Sequence, residues 1–149
     1  MRLVLDTNVV VSGLLWHGPP RQILDAAGAG RASLFTSPAL LGELQDVLNR
    51  PKFAKRLADA GITAEALLLG YAALAALVQP ADIGPVVVAD PDDDAVLAVA
   101  AAARADAVAS GDPHLLQFGQ FQWIPILGPT QVLALLAPSL ERSELSADQ

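Results

Sequence analysis

Short apolar runs, broken by turn residues and separated by helical stretches, set the pattern of this chain. Leu3, Val4 and Leu5 form a run that stops at Asp6-Thr7-Asn8; apolar residues resume over 9–15 and end before His17-Gly18-Pro19-Pro20. This predicts a buried strand, a first helix and a break. A helix over 21–27 is stopped by Gly28 and Gly30, and residues 33–36 predict a second strand. Ser37-Pro38 then places a capping hydroxyl before a proline suited to the first helical position, opening a helix to Asn49 that Pro51 closes. Helical segments over 52–60 and 63–78 follow, divided by Gly61 and closed by Pro80. Val86, Val87 and Val88 predict a third strand, and Asp90-Pro91 repeats the cap-and-proline signal for a helix to Arg104. Residues 107–109 predict a fourth strand, 123–127 a fifth, and 130–136 a last helix.

Strands that are short continuous apolar runs, alternating with helices, indicate an α/β fold whose mostly parallel sheet of four to five strands is covered on both faces. A chain of 149 residues is expected to form one domain, over residues 1–138, followed by a polar tail over 139–149. Hydrophobic residues make up 53% of the chain and aromatics only 5%, so the core must be built from Ala, Leu and Val rather than from rings. The absence of cysteine excludes disulfides, zinc-thiolate sites and a thiol nucleophile, and suits a reducing cytoplasm. The first apolar run is too short and too early for a secretory signal. The longest, 66–78, reads as a buried core helix rather than a membrane span, which needs about 20 residues. A soluble, cytoplasmic protein is expected.

In such sheets ligands bind beyond the carboxyl ends of the strands, and several acids fall there. Asp6 follows the first strand, Asp112 the fourth, and Asp92, Asp93 and Asp94 open the helix after the third. Glu43 lies nearly two turns into the helix after the second strand, at the border of the apolar face formed by Leu40, Leu44, Val47 and Leu48, with Asp46 pointing further out. Carboxylates crowded at one sheet end repel one another and acquire raised pKa values unless a divalent cation neutralises them. Oxygen-only donors favour magnesium or manganese over zinc. A pair of such ions suits hydrolysis of a phosphodiester without a 2′-hydroxyl nucleophile, leaving 5′-phosphate and 3′-hydroxyl ends. The net charge of −7 argues against gripping a long duplex with the whole surface, although bound divalent ions reverse the sign where phosphate docks.

The segments Leu5-Asp6-Thr7-Asn8-Val9, Ser37 to Glu43 running on to Arg50-Pro51-Lys52-Phe53, Asp90 to Ala98, and Ala109-Ser110-Gly111-Asp112 resemble PIN-domain motifs, over roughly residues 1–136. The resemblance is greatest to PIN proteins described as toxin components of toxin–antitoxin pairs, relatives of the VapC-like toxins. It implies a three-layer α/β/α sandwich and a metal-dependent ribonuclease. By it, the catalytic set is Asp6, Glu43, an acid of the 92–94 run and Asp112. Asp94 is preferred as the third acid and Asp93 stands close behind as a further metal ligand; Asn8 and Ser110 would support the site by hydrogen bonding. The implied cofactor is Mg2+ or Mn2+, and the implied partners are RNA and a small antitoxin protein. Ser110 stands where many relatives carry threonine, which keeps the hydroxyl.

Blander roles stand beside these. Asp90, Asp92 and Asp93 also suit helix capping, Glu43 taken alone reads as solvated, and His17 and His114 are isolated. Trp16 and Trp123 read as packing rather than stacking residues. Arg50, Lys52, Lys55 and Arg56 form the basic cluster, either a solvated face or the holder of an RNA backbone. A phosphoaspartate phosphatase or receiver domain is set aside, because Asn8 stands where such a phosphatase needs aspartate and no lysine follows Lys55. The remaining rival is a PIN-like scaffold that binds a partner protein with little or no catalysis. The apolar 63–78 helix suits packing against a second copy, as a homodimer, as well as it suits the chain's own core.

Overall fold

The computed structural model describes residues 1–86 and 91–137. Strand β1 (Arg2–Leu5) leads into α1 (Thr7–Leu15) and α2 (Pro19–Gly28); β2 (Ser33–Thr36) leads into α3 (Pro38–Leu48). A 3-10 turn (Pro51–Phe53), α4 (Ala54–Ala60) and α5 (Ala64–Leu74) precede the two-residue β3 (Ala76–Leu77). Then come α6 (Pro91–Ala103), β4 (Ala107–Ala109), α7 (Pro113–Leu116), β5 (Gln120–Phe121), β6 (Ile124–Leu127) and α8 over residues 129–137.

The sheet order is β3-β2-β1-β4-β6-β5, parallel throughout except for β5, which pairs antiparallel with β6 at the edge. Alternation along each strand sorts its side chains to two faces. Leu3, Leu5, Leu34, Ala107 and Ala109 meet α1, α2, α3 and α8 on one side, while Val4, Phe35, Val108 and Ile126 meet α6 on the other. The result is the three-layer α/β/α sandwich.

Several elements depart from the sequence expectation, and six strands form where four to five were expected. The helix predicted over 63–78 ends at Leu74, and Ala76–Leu77 form the third parallel strand, where Val78 donates its N–H to the Thr36 carbonyl at 2.9 Å. A long apolar run does not distinguish helix from strand; the unfilled edge of β2 decides. Val86, expected to start the third strand, has no strand structure, and Val87, Val88 and Asp90 lie outside the described residues, as does the tail from 138 on. Nor is α5 a buried core helix: only Tyr71 is fully buried on it and Leu69 is 61% exposed. Among the described residues no single helix is long and apolar enough to cross a membrane.

β1 lies centrally, flanked by β2 on one side and β4 on the other. The chain moves outward from β1 through β2 and β3, then returns to build β4 and β6 on the opposite side. The crevice at the carboxyl ends of β1 and β4 is therefore the topological switch point of the sheet, the place where an open α/β fold receives ligands.

Candidate active site

Asp6 sits at the switch point. It follows β1 and caps α1, its Oδ1 accepting the Val9 N–H at 2.8 Å, while its own N–H bonds to the Ala109 carbonyl on β4 at 3.0 Å. The residue is only 5% exposed. Its other oxygen, Oδ2, accepts the hydroxyl of Ser110, which is wholly buried. The same Ser110 oxygen accepts the Asp112 N–H at 2.9 Å, and Asp112 caps the short α7 through His114 N–H at 2.8 Å.

Burial pushes the Asp6 carboxyl above its ordinary value of 3.8. Hydrogen bonds from Ser110 and from the backbone N–H groups of Val9 and Gly111 pull the other way, and the negative charge of Asp112 adds to the upward push. Desolvation outweighs three donors because an ionised carboxylate loses more hydration on burial than a few hydrogen bonds return.

The acids of α6 separate by face. Asp93 is 5% exposed and starts the side that continues through Val96, Leu97, Ala100 and Ala103 against the sheet. Asp94 is half-buried, and its carboxylate accepts the Val86 N–H at 3.2 and 3.3 Å, tying the preceding segment to the helix; Asp92 is exposed. Glu43 is half-buried on α3, between the buried Leu40 and Val47, and Asp46 is exposed.

The structure thus joins Asp6, Ser110 and Asp112 into one hydrogen-bonded group. Among the described residues, no set of three or more His, Cys, Asp or Glu side chains stands close enough to hold a metal ion. Asn8 is exposed on the first turn of α1. In the basic cluster, Arg50, Lys52, Lys55 and Arg56 are all exposed. Arg56 also gives Nε and Nη2 to the Leu15 carbonyl, at 2.9 and 2.6 Å, closing the end of α1, and its guanidinium lies over the Trp16 ring. The expected packing of the tryptophans holds only in part: Trp16 meets the edge of Phe53 yet is 43% exposed, and Trp123 is 87% exposed in the turn between β5 and β6.

One contributor escaped the sequence reading. Gly111 donates its backbone N–H to Asp6. A Cβ there would meet nothing within 4 Å, so the glycine is not needed for space, and only its position between Ser110 and Asp112 marks it.

A family model described as PIN domain matches residues 2–114, which span β1 through the start of α7 and include every acid discussed above. Among solved structures, the chain is similar to the crystal structure of VapBC2 from Rickettsia felis bound to a DNA fragment from their promoter. The two share 15% sequence identity at a TM-score of 0.58, over 85% of this chain and 97% of that one. No curated protein matches. Since the matched span carries both the central strands and the acids at their ends, the chain belongs to the PIN domain family.

Proposed function

We propose that the chain is a metal-dependent ribonuclease, the toxin of a toxin–antitoxin pair, which hydrolyses RNA phosphodiester bonds to 5′-phosphate and 3′-hydroxyl ends. The observation that carries this reading is the pairing of Asp6 with Asp112 across Ser110 at the switch point. A carboxyl this deeply buried beside a second acid is relieved by a divalent cation. The donors are all oxygen, and magnesium in particular is commonly held by one or two carboxylates together with waters and substrate phosphate, so a two-acid core fits it; manganese shares that preference.

Asp6 and Asp112 would be the central ligands, with Glu43 and an acid of α6 completing the set. Asp93 suits that role better than Asp94, because it is buried on the sheet-facing side while the Asp94 carboxylate receives the Val86 N–H. A bound cation would supply an acidified water and offset the charge of the phosphate. The protein's own part is positional. Ser110 orients Asp6 and ties Asp112 to it, the Val9 and Gly111 N–H groups fix the carboxylate, and Asn8 offers an amide at the rim. Arg50, Lys52 and Lys55 would hold the RNA backbone, with Arg56 dividing its donors between RNA and α1. The similarity to VapBC2, a toxin–antitoxin complex, supports a small antitoxin protein as partner, and an RNA substrate suits the cytoplasm.

A second reading, a partner-binding scaffold, is favoured by the lack of a three-acid group among the described residues. Incubation of labelled single-stranded RNA with magnesium or manganese, with and without chelator, separates the two. Chelator-sensitive products bearing 5′-phosphates are expected; intact RNA with both metals would favour the scaffold.

A further inference from the structure

The molecule carries an aromatic and basic feature that the acidic site does not use. α1 begins at Asp6 and ends at Trp16, its C-cap, where the chain turns extended and carries the indole out of the helix end. The Arg56 guanidinium lies 5.7 Å from the ring centre, and Phe53 meets the ring edge-on with centroids 6.0 Å apart. Lys52 in turn lies over the Phe53 ring at 5.0 Å. Trp16 is therefore anchored on two sides and still 43% exposed.

Beside it opens a groove of about 590 Å³ between the α1–α2 hairpin and α4–α5, lined among others by His17, Arg21, Arg56 and Leu74. Gly28 and Gly70 line it too, and a Cβ on either would meet nothing within 4 Å, so these positions leave it open. The charge here runs against that of the whole molecule. Arg21 and Arg56 line the groove and Lys52 lies over the Phe53 ring that meets Trp16, in a chain whose net charge is −7; Asp25 is the acid at the groove, 3.7 Å from Arg21.

We propose that Trp16 is a stacking platform for an unpaired base of the RNA, with the surrounding cations on the flanking phosphates. The proposal rests on the ribonuclease reading above and adds a specificity-determining subsite to it. Base stacking on aromatic rings combined with a basic track is how proteins hold single strands, and it tolerates any base. The nine residues of α1 separate platform from Asp6 by about 14 Å, the length of roughly four stacked nucleotides. Substrates shorter than that on the platform side would lose the contact. Arg21 and Arg56 at the groove favour a polyanion over a neutral apolar segment, and α1 connects the platform to Asp6, which caps its other end.

Trp16 and Trp123 are the only tryptophans, so the Trp123→Phe variant reports on Trp16 alone. The test uses that variant with Asp6→Asn added to prevent cleavage, titrated with an eight-nucleotide single-stranded RNA, with the same chain made abasic, and with an acidic amphipathic peptide. Quenching of Trp16 fluorescence by the RNA and not by the abasic chain is expected. Trp16→Ala should weaken RNA binding about fivefold or more, and Trp16→Phe should restore most of it. Unchanged fluorescence with RNA, or quenching by the peptide alone, would overturn the platform and, in the latter case, give the groove to a protein partner. Cleavage by the parent chain is read separately: its loss would sink the ribonuclease reading, whereas cleavage without quenching would sink only the platform.

Discussion

Ser110 gives its hydroxyl proton to Asp6 and, on the same oxygen, receives the Asp112 N–H at 2.9 Å. One wholly buried side chain thereby fixes the spacing of two acids that lie far apart in sequence. Ser110→Ala is expected to cost about 1–3 kcal/mol in chemical denaturation, because it strips a buried carboxylate of a donor. The same change should raise the Asp6 pKa further, since that hydrogen bond pulls it down. An unchanged denaturation midpoint would show that the hydroxyl has no such role.

The pH dependence of the metal-free protein follows from the direction of the Asp6 shift. Its folded pKa lies above the ordinary 3.8, so the folded state binds the proton more tightly than the unfolded state. The contribution of Asp6 is fully present below 3.8 and is lost as pH rises through the folded value. Asp6→Asn removes this term. In chelator, the variant should match or exceed the parent in thermal stability at neutral pH and lose that part of the pH dependence; a markedly less stable variant would mean that the carboxylate is a net stabiliser.

Much of this arrangement was legible in the sequence, and the reason is local. The Ser37-Pro38 signal gives a cap whose bond to Leu40 is present, and Asp6 and Asp112, legible as strand-end acids, also cap α1 and α7 through Val9 and His114. What escaped depends on contacts distant in the chain. Ala76–Leu77 become a strand only because β2 has a free edge, and β5 exists only as the partner of β6. Arg56 is exposed like its neighbours, but the Leu15 carbonyl it holds is 41 residues away. Helical periodicity does not order Asp93 and Asp94, and which of them serves the site stays a proposal: Asp93 is the more buried, while the Asp94 carboxylate accepts the Val86 N–H.

That distinction yields a paired prediction. Asp93→Asn should reduce RNA cleavage by about 100-fold or more, the scale of losing one principal electrostatic group in an active site. Asp94→Asn keeps an oxygen for the Val86 N–H and should cost less than tenfold. Single-turnover rates measured with each variant check the order, and the reverse ranking would assign Asp94 to the metal.

Lys52, Lys55 and Arg56 are all exposed, but Arg56 also closes α1. Lys52→Ala with Lys55→Ala should leave stability within about 0.5 kcal/mol and lower the slope of log affinity against log salt by about 1.4 for single-stranded RNA. Arg56→Ala should cost about 1 kcal/mol of stability as well, by leaving the Leu15 carbonyl without its donors. Equal effects on stability from both changes would place Arg56 with the lysines.

α1 carries Asp6 and packs tightly on α2 at Gly13, where an added Cβ would lie 2.8 Å from Leu24 Cδ1 and 3.0 Å from the Pro20 carbonyl oxygen. Gly13→Ala gains about 1 kcal/mol of helix propensity but meets an overpacking cost of about 1–3 kcal/mol. The backbone oxygen of Pro20 cannot swing aside as Leu24 can, so a net loss of stability is expected from denaturant midpoints. A stabilised variant would mean that the hairpin opens freely.

The proposed requirement of the Asp6–Asp112 pair for a divalent cation is tested most directly by calorimetric titration of magnesium and manganese into the parent chain and into Asp6→Asn and Asp112→Asn. Saturable binding to the parent that weakens at least tenfold in both variants is the expected result. No binding to the parent, or equal binding by all three proteins, would contradict it.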